Sequence, residues 1–555
     1  MESTFILVLV WKKNAYKAFK IKCLLIGIFK ILIITGAESM KRSELIDFFN
    51  TIENQFPVNK WILDDIHIWP LIRIALMFKI VRVESEQNNR QLTNNLFSKS
   101  IQPVKKTLDI IKGIEKYSRS YISDYNKNSH LKGKYDVCFL NHSRCRRQIN
   151  NSWYDVLCDP YIQKLNKLGI SSFVLERVPN NEYHIPRYNS SLFIQPEIDY
   201  LLIKTKIVNK LNNYDVAKLE YFDEFTKYIE TLNITTKNNL INIVQNSVTF
   251  TRLLAKYFKK LLTTINPSLC LMVCYYSREG MAFNLACKEL GIISVDIQHG
   301  IQGDIHPAYG RWNSVPLKGY ELLPSTFWCW SEYEANTINK WNHKCSQYHQ
   351  PIVGGNLFLN SFQKTNSVDD IFIESEKKVL QLKNSKPNSI HILYTLQPLH
   401  TIPLQEWIFQ AIKDSPSSWF WWIRLHPGMM NDREKIRELF TPLKLNNIFI
   451  DQPTDLPLNI LLRHSDIHIT QSSSTIIEAE HFGVPSVFTS LIAAEAFPLQ
   501  IASGVAIPAY THHDLIEAIK IQLLKKGQLE QRQKEITVTK DNALKYLIEQ
   551  AKIDR

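Results

Sequence analysis

The stretch that most constrains the fold runs from Asp466 to Thr489, DIHITQSSSTIIEAEHFGVPSVFT. Asp466 to Thr470 is a short apolar run with β-branched residues and reads as a buried strand. Gln471 to Ser474 is a polar turn. Thr475 to Phe482 has helical spacing, with Ile476, Ile477 and Ala479 placed to face a sheet. Gly483, Val484 and Pro485 stop that helix, and Ser486 to Thr489 forms the next strand. The turn of this strand–turn–helix–turn–strand unit sets Ser472, Ser473, Ser474 and Thr475 at a helix N-terminus. Free N–H groups, hydroxyl donors and the positive end of the dipole meet there, which suits a phosphate. Glu478 lies about one turn into the helix, within reach of a ribose hydroxyl. The same serines also suit an ordinary helix cap, because caps favour Ser and Thr for local reasons. A second element weighs toward the ligand. Trp419 to Gly428 (WFWWIRLHPG) is another buried strand, ending in His426-Pro427. In a parallel sheet both strand ends open on one edge, where ligands bind.

The chain has 555 residues, enough for two or three domains. Its net charge of +13 suits nucleic acid, anionic lipid or a phosphorylated substrate. The basic residues are scattered and no RNA- or DNA-binding signature stands out, so we expect anionic ligands and a membrane surface, and no nucleic acid. The nine cysteines include no CxxC pair, which favours reduced cytosolic thiols over disulfides or zinc. Near the N-terminus, Phe5 to Trp11 and Ile21 to Ile34 are apolar, but Lys22 and Lys30 break the second run. The piece between them is too short to span a bilayer, and no clear cleavage site follows. Residues 1–39 are therefore either an interfacial anchor or an extension ahead of a start at Met40, and the second is preferred.

Further along, Glu44 to Phe78 reads as helical and aromatic-rich, with Trp61, Trp69 and Phe78 placed for the main body or for a membrane surface. Asn88 to Lys99 reads as a loop and Ile101 to Tyr121 as a helix. Tyr135 to Leu140 is the first clear strand. A basic loop with Arg144, Arg146 and Arg147 follows it, suited to a phosphate or an acidic sugar, or else simply solvated. Tyr200 to Tyr257 is largely helical with a polar break near Asn233 to Asn239. Leu269 to Tyr275, the helix Arg278 to Leu290 and Ile292 to Gln298 continue the α/β rhythm. The last of these strands ends in His299-Gly300, a tight turn at the ligand edge. Ile301 to Trp312 (IQGDIHPAYGRW) is loop-like, and either carries catalysis or caps a strand. Val353-Gly354-Gly355-Asn356 reads as the link between two lobes, after which strands and helices alternate to a charged C-terminal helix, Leu529 to Ala551. The expected organisation is an extension at 1–39, a helical segment at 40–130, α/β lobes at 131–350 and 351–525, and a C-terminal helix at 526–555.

Gln298-His299-Gly300, the Gly354-Gly355 link, His426-Pro427, and Gln471-Ser472-Ser473-Ser474 with Glu478, Gly483 and Pro485 together resemble the GT-B glycosyltransferases of bacterial surface-polysaccharide assembly. The His-Pro and serine-cluster pair is similar to bacterial sialyltransferases and capsule β-Kdo transferases, which use CMP-activated sugars. The Glu478-Ala479…Gly483…Pro485 tail is similar to GT-B nucleotide sites generally, UDP-sugar users included. The resemblance implies a GT-B fold, with two Rossmann-like lobes facing a cleft, plus an extra N-terminal helical segment. It implies a nucleotide-sugar donor, CMP- or UDP-linked, with no cofactor and no metal. By the same resemblance His426, with Pro427, contacts the donor phosphate or nucleotide. Gln471, Ser472, Ser473, Ser474 and Thr475 form the phosphate turn, and Glu478 bonds the ribose. The first lobe binds a glycan or lipid-linked glycan and supplies the base, for which Glu279, His299 and Asp304 are candidates. The implied setting is cytoplasmic, peripheral to the inner membrane, in capsule or lipopolysaccharide synthesis. Three alternatives stay open: a teichoic-acid-type polyol-phosphate transferase, a UDP-sugar 2-epimerase-like enzyme, and a non-catalytic assembly component.

Overall fold

The computed structural model describes residues 42–90, 133–142, 145–149, 151–178, 183–211, 214–300, 302–360, 362, 372–397, 404–441, 446–536 and 542–553. The extension 1–39, most of the expected loop from Asn88, the expected helix Ile101 to Tyr121, and Arg144 lie outside them.

The first described segment is a helix, Arg42–Gln55, a short antiparallel ribbon of β1 (Ile62–Leu63) and β2 (Ile66–His67), and a second helix, Trp69–Arg90. It is thus a helix pair broken by a ribbon. Of the two placements open to its aromatic residues, the structure takes the main body for Trp61 and Trp69, which are wholly buried in the first lobe's core, while Phe78 is exposed.

The first lobe is a seven-stranded, all-parallel sheet. Its strands are β3 (Val137–Leu140), β6 (Ser172–Glu176), β7 (Leu192–Phe193), β8 (Leu269–Val273), β9 (Ile293–Ile297), β10 (Thr326–Cys329) and β11 (Gln350–Val353). They lie in the order β11-β10-β9-β8-β3-β6-β7. Strands β3 and β8 are buried along their whole length, and they are continuous apolar runs because helices cover both faces. The expected basic loop after β3 is instead a hairpin of β4 (Arg146–Ile149) and β5 (Ser152–Asp155). Its RRQI strand buries only Ile149, so no apolar alternation marks it. The helical stretch before β8 is three helices, Gln195–Leu211, Phe222–Thr231 and Lys237–Ile265, where a single polar break is expected.

The second lobe is a six-stranded parallel sheet of β12 (Ile390–Thr395), β13 (Trp419–Arg424), β14 (Ile448–Phe449), β15 (Ile467–Thr470), β16 (Ser486–Phe488) and β17 (Ala506–Pro508). Its order is β14-β13-β12-β15-β16-β17. In both lobes the chain therefore works outward on one side of its first strand, then crosses over and works outward on the other. That is the doubly wound Rossmann order, and its reversal point is where such sheets bind ligands. The reversal points here are β3/β8 and β12/β15. Two such lobes in one chain make the GT-B fold.

Gly354 and Gly355 follow β11 and join the lobes. The indole of Trp328 lies against them, its Nε1 donating to the Gly355 carbonyl at 2.8 Å. A Cβ on Gly354 would fall 2.0 Å from that ring, and Gly355 has φ +73°, so both positions need glycine. The expected C-terminal helix, Leu529 to Ala551, overlaps two described helices, His512–Ile536 and Asn542–Gln550. The last one crosses back and buries Leu544, Leu547 and Ile548 beside Val137, Val273 and Trp328 of the first lobe.

Candidate functional site

The carboxyl ends of both sheets open onto one cavity of about 270 Å³. The first lobe contributes Tyr276 after β8, His299 and Gly300 after β9, and Gln302 and His306 from the following loop. The second contributes Gln397 after β12 and Ser472, Ser473 and Ser474 after β15. Every strand named here flanks or adjoins a reversal point, so the sheet order itself gathers these residues.

On the second-lobe wall, the Ser472 amide donates to Gln397 Oε1 at 2.7 Å and so ties the ends of β12 and β15 together. Ser473 Oγ accepts from the Thr475 amide at 3.3 Å and lies 2.8 Å from its hydroxyl. Ser474 occupies the N-cap of the helix Thr475–His481 but makes no side-chain cap bond. The local-cap explanation of the serines thus fits Ser473, not the cluster as a whole. Gln471 and Thr475 are buried behind the turn.

His426 is exposed and lies off the cavity wall. It caps the 3₁₀ turn Pro427–Asp432, its Nδ1 accepting from the Gly428 amide at 3.0 Å. Glu478 also lies off the wall. Burial pushes its carboxyl up to about 7, against the pull of Arg147 and Arg424. Burial, reinforced by Arg147, pushes the Arg424 guanidinium down to about 9. Arg147 belongs to the β4–β5 hairpin of the first lobe, so Glu478 sits where the lobes meet. The neighbouring Arg146 is committed elsewhere, to Glu176 at 3.0 Å and to the Trp153 carbonyl at 3.0 Å.

Of the three base candidates, only His299 lines the cavity. Its ring stacks at 5.9 Å on Tyr276 and at 6.2 Å on His142. Nδ1 lies 3.4 Å from the Ile297 carbonyl and Nε2 lies 3.4 Å from the Tyr276 hydroxyl. A donor at Nδ1 leaves Nε2 as the basic nitrogen. Burial lowers the imidazole to about 4, so it is neutral at pH 7. Glu279 pairs with Arg177 at 2.9 Å. Arg177 in turn donates to the carbonyls of Asn141 at 3.0 Å and Val273 at 3.3 Å, clasping the ends of β3 and β8. Asp304 pairs with Lys340.

Two further groups hold the first-lobe wall in place. Asp296, wholly buried in β9, accepts from the Tyr275 amide and from the Tyr309 hydroxyl, both at 2.9 Å. Burial pushes its carboxyl up to about 7. The buried pair Glu53–Arg73 reaches from the N-terminal helices to the loop beyond His306, where Arg73 donates to the carbonyls of Pro307 at 2.9 Å and Gly310 at 3.0 Å. Sequence reasoning missed Tyr276, Gln302, His306 and Gln397. The available signal was positional: Tyr276 and Gln397 follow apolar strands as His299 does. Among the described residues, no cluster of three or more His, Cys, Asp or Glu side chains is placed to hold a metal ion.

A larger cavity, about 1050 Å³, lies beside the hairpin, between Gln148 and Asn151 on one side and Glu374, Gln381 and Asp455 on the other. It contains none of the residues that follow the strands at the two reversal points, so the chemistry points to the smaller one.

No family model matches the sequence, and no curated protein does. Among solved structures, the UDP-GlcNAc 2-epimerase from Neisseria meningitidis bound to UDP-GlcNAc matches with a TM-score of 0.47 and 16% identity, over 76% of this chain and 100% of that one. The glycosyltransferase SnogD from Streptomyces nogalater matches with a TM-score of 0.39 and 11% identity, over 76% and 100%. CalG4, the calicheamicin glycosyltransferase, matches with a TM-score of 0.41 and 12% identity, over 75% and 98%. These likenesses concern the path of the chain alone; the fold assignment rests on the two sheet orders.

Proposed function

We propose that the protein is a GT-B glycosyltransferase that moves a sugar from a nucleotide-activated donor to a glycan acceptor. The observation that carries this reading is the single cavity shared by both reversal points, with hydroxyl and amide donors on one wall and a neutral imidazole on the other. The acceptor hydroxyl attacks the anomeric carbon, the bond from that carbon to the donor phosphate breaks, and the electron pair leaves on the phosphate. Ser472, Ser473 and Ser474 stabilise that charge. His299 Nε2 takes the acceptor proton. Glu279 and Asp304 are less suited to this, since each is held by a cation away from the cavity wall. His426, Pro427 and Glu478, which lie off the cavity wall, are assigned to the nucleotide, and Gln471 and Thr475, buried behind the serines, hold the phosphate turn in shape. Neither a metal nor a cofactor is assigned, following the GT-B resemblance.

The test is calorimetry with CMP, CDP, UDP, GDP and dTDP. One of them is expected to bind, and His426→Ala to weaken it roughly 10–100-fold, the loss of a hydrogen bond to a charged group. Folded protein that binds none of the five sinks the reading. A CDP preference redirects it to polyol-phosphate transfer. The same strand-end cavity also suits a nucleotide-sugar 2-epimerase. Turnover of donor without any acceptor would decide for that alternative.

The acceptor is proposed to be a growing capsule or lipopolysaccharide glycan at the inner face of the cytoplasmic membrane. Among the described residues no helix is long and apolar enough to cross a membrane. The helix Gln195–Leu211 supports surface attachment. It exposes Tyr200, Ile203 and Ile207 on one side, beside exposed Lys204 and Lys206. The protein is expected to sediment with phosphatidylglycerol vesicles and not with phosphatidylcholine ones, and Ile207→Glu to lower the bound fraction at least twofold. Equal sedimentation of the variant removes this helix from the contact.

A further inference from the structure

Gln302 is only 2% exposed, yet among the described residues neither its Oε1 nor its Nε2 meets a hydrogen-bond partner. Buried side-chain amides are otherwise almost always paired, because stripping one of water without a replacement partner is costly. This one lies on the wall of the inter-lobe cavity. It shares the first-lobe wall with the rings of Tyr276, His299 and His306 and faces the serine turn. If that turn holds the donor phosphate, the group next to the phosphate, across from Gln302, is the sugar. A primary amide presents a donor and an acceptor side by side. Two neighbouring hydroxyls of a pyranose match that pair, since each hydroxyl both donates and accepts. The surrounding rings offer flat apolar faces to the sugar's C–H groups.

We infer that Gln302 reads two vicinal hydroxyls of the donor sugar and so sets which sugars the enzyme accepts. This rests on the glycosyltransferase reading, and the experiment separates the two. The full chain and Gln302→Leu, which keeps the volume and removes both polar atoms, are titrated with UDP, UDP-glucose, CMP and CMP-Kdo, both sugars of which carry vicinal ring hydroxyls. The nucleotide that binds selects the pair. Expected are equal affinities of wild type and variant for the bare nucleotide, and a 10–100-fold weaker affinity of the variant for the nucleotide sugar. The melting temperature of Gln302→Leu is expected to match or exceed wild type, because the lost amide satisfied nothing in the fold. Unchanged nucleotide-sugar binding in the variant overturns the inference while leaving the nucleotide site standing. So does a lowered melting temperature with nucleotide and nucleotide sugar weakened alike, which marks a structural amide. Failure of both bare nucleotides to bind overturns this inference, and the functional reading falls with it only when CDP, GDP and dTDP fail as well.

Discussion

Arg73→Leu is expected to destabilise the protein by about 3–5 kcal/mol, the usual cost of removing one partner of a buried ion pair. Arg73 and Glu53 are both wholly buried as side chains. Arg73 lies between the rings of Phe49 and Trp312, at 4.9 and 4.4 Å. Glu53 also accepts from Trp69 Nε1 at 2.8 Å, from the Ser314 amide at 3.1 Å, and from the Asn313 amide. Leucine leaves that carboxylate in the core without its cation and orphans the carbonyls of Pro307 and Gly310. The measurement is the first transition in urea denaturation. The same variant should lower activity, because the clamped loop carries Gln302 and His306 into the cavity. A first transition within about 1 kcal/mol of wild type, well short of that range, would show that the N-terminal helices do not hold the loop.

His299→Ala is expected to lower turnover by roughly 10²–10⁴-fold, the range for losing a general base, with little change in KM. Burial holds the wild-type imidazole near 4. The rate should therefore be flat through neutral pH and fall only as pH drops toward about 4. The same group links pH to stability. The unfolded chain takes up its proton near 6.5 and the folded chain does so only near 4. The contribution is therefore fully present above about 6.5 and is lost as pH falls through that interval. A variant that keeps turnover within tenfold of wild type moves the base to another residue.

Most of the second lobe was legible because each of its strands is a short apolar run closed by a turn signal. Trp419–Arg424 and the unit from Asp466 to Thr489 lie within a residue or two of where their patterns place them. The strand Arg146–Ile149 was not legible, since only Ile149 of its four residues is buried and no apolar alternation marks it. The short ribbon Ile62–Leu63 and Ile66–His67 disappears inside an aromatic-rich stretch of helical character. The site divides in the same way. His299 and the serines carry local signals, at strand ends and in a helix-opening turn. Gln397 and Ser472 meet across 75 positions of sequence. That contact follows from the neighbouring of β12 and β15, which no local pattern encodes.

The clamp between the N-terminal helices and the cleft loop also bears on how the chain is made. Glu53 and its partner Asn313 are separated by 260 residues. A ribosome adding about 5–20 residues per second delivers Asn313 roughly 13–50 s after Glu53. Over that interval Arg73 and Glu53 have emerged, but the carbonyls and amides that complete their bonding have not. Trp61 and Trp69, destined for the core, emerge just as early, well ahead of the Phe222 and Phe225 rings they pack on. The nascent N-terminal helices are thus a natural client for chaperones that shield apolar surface during synthesis, and the cavity wall of the first lobe is complete only when the two ends of the clamp meet.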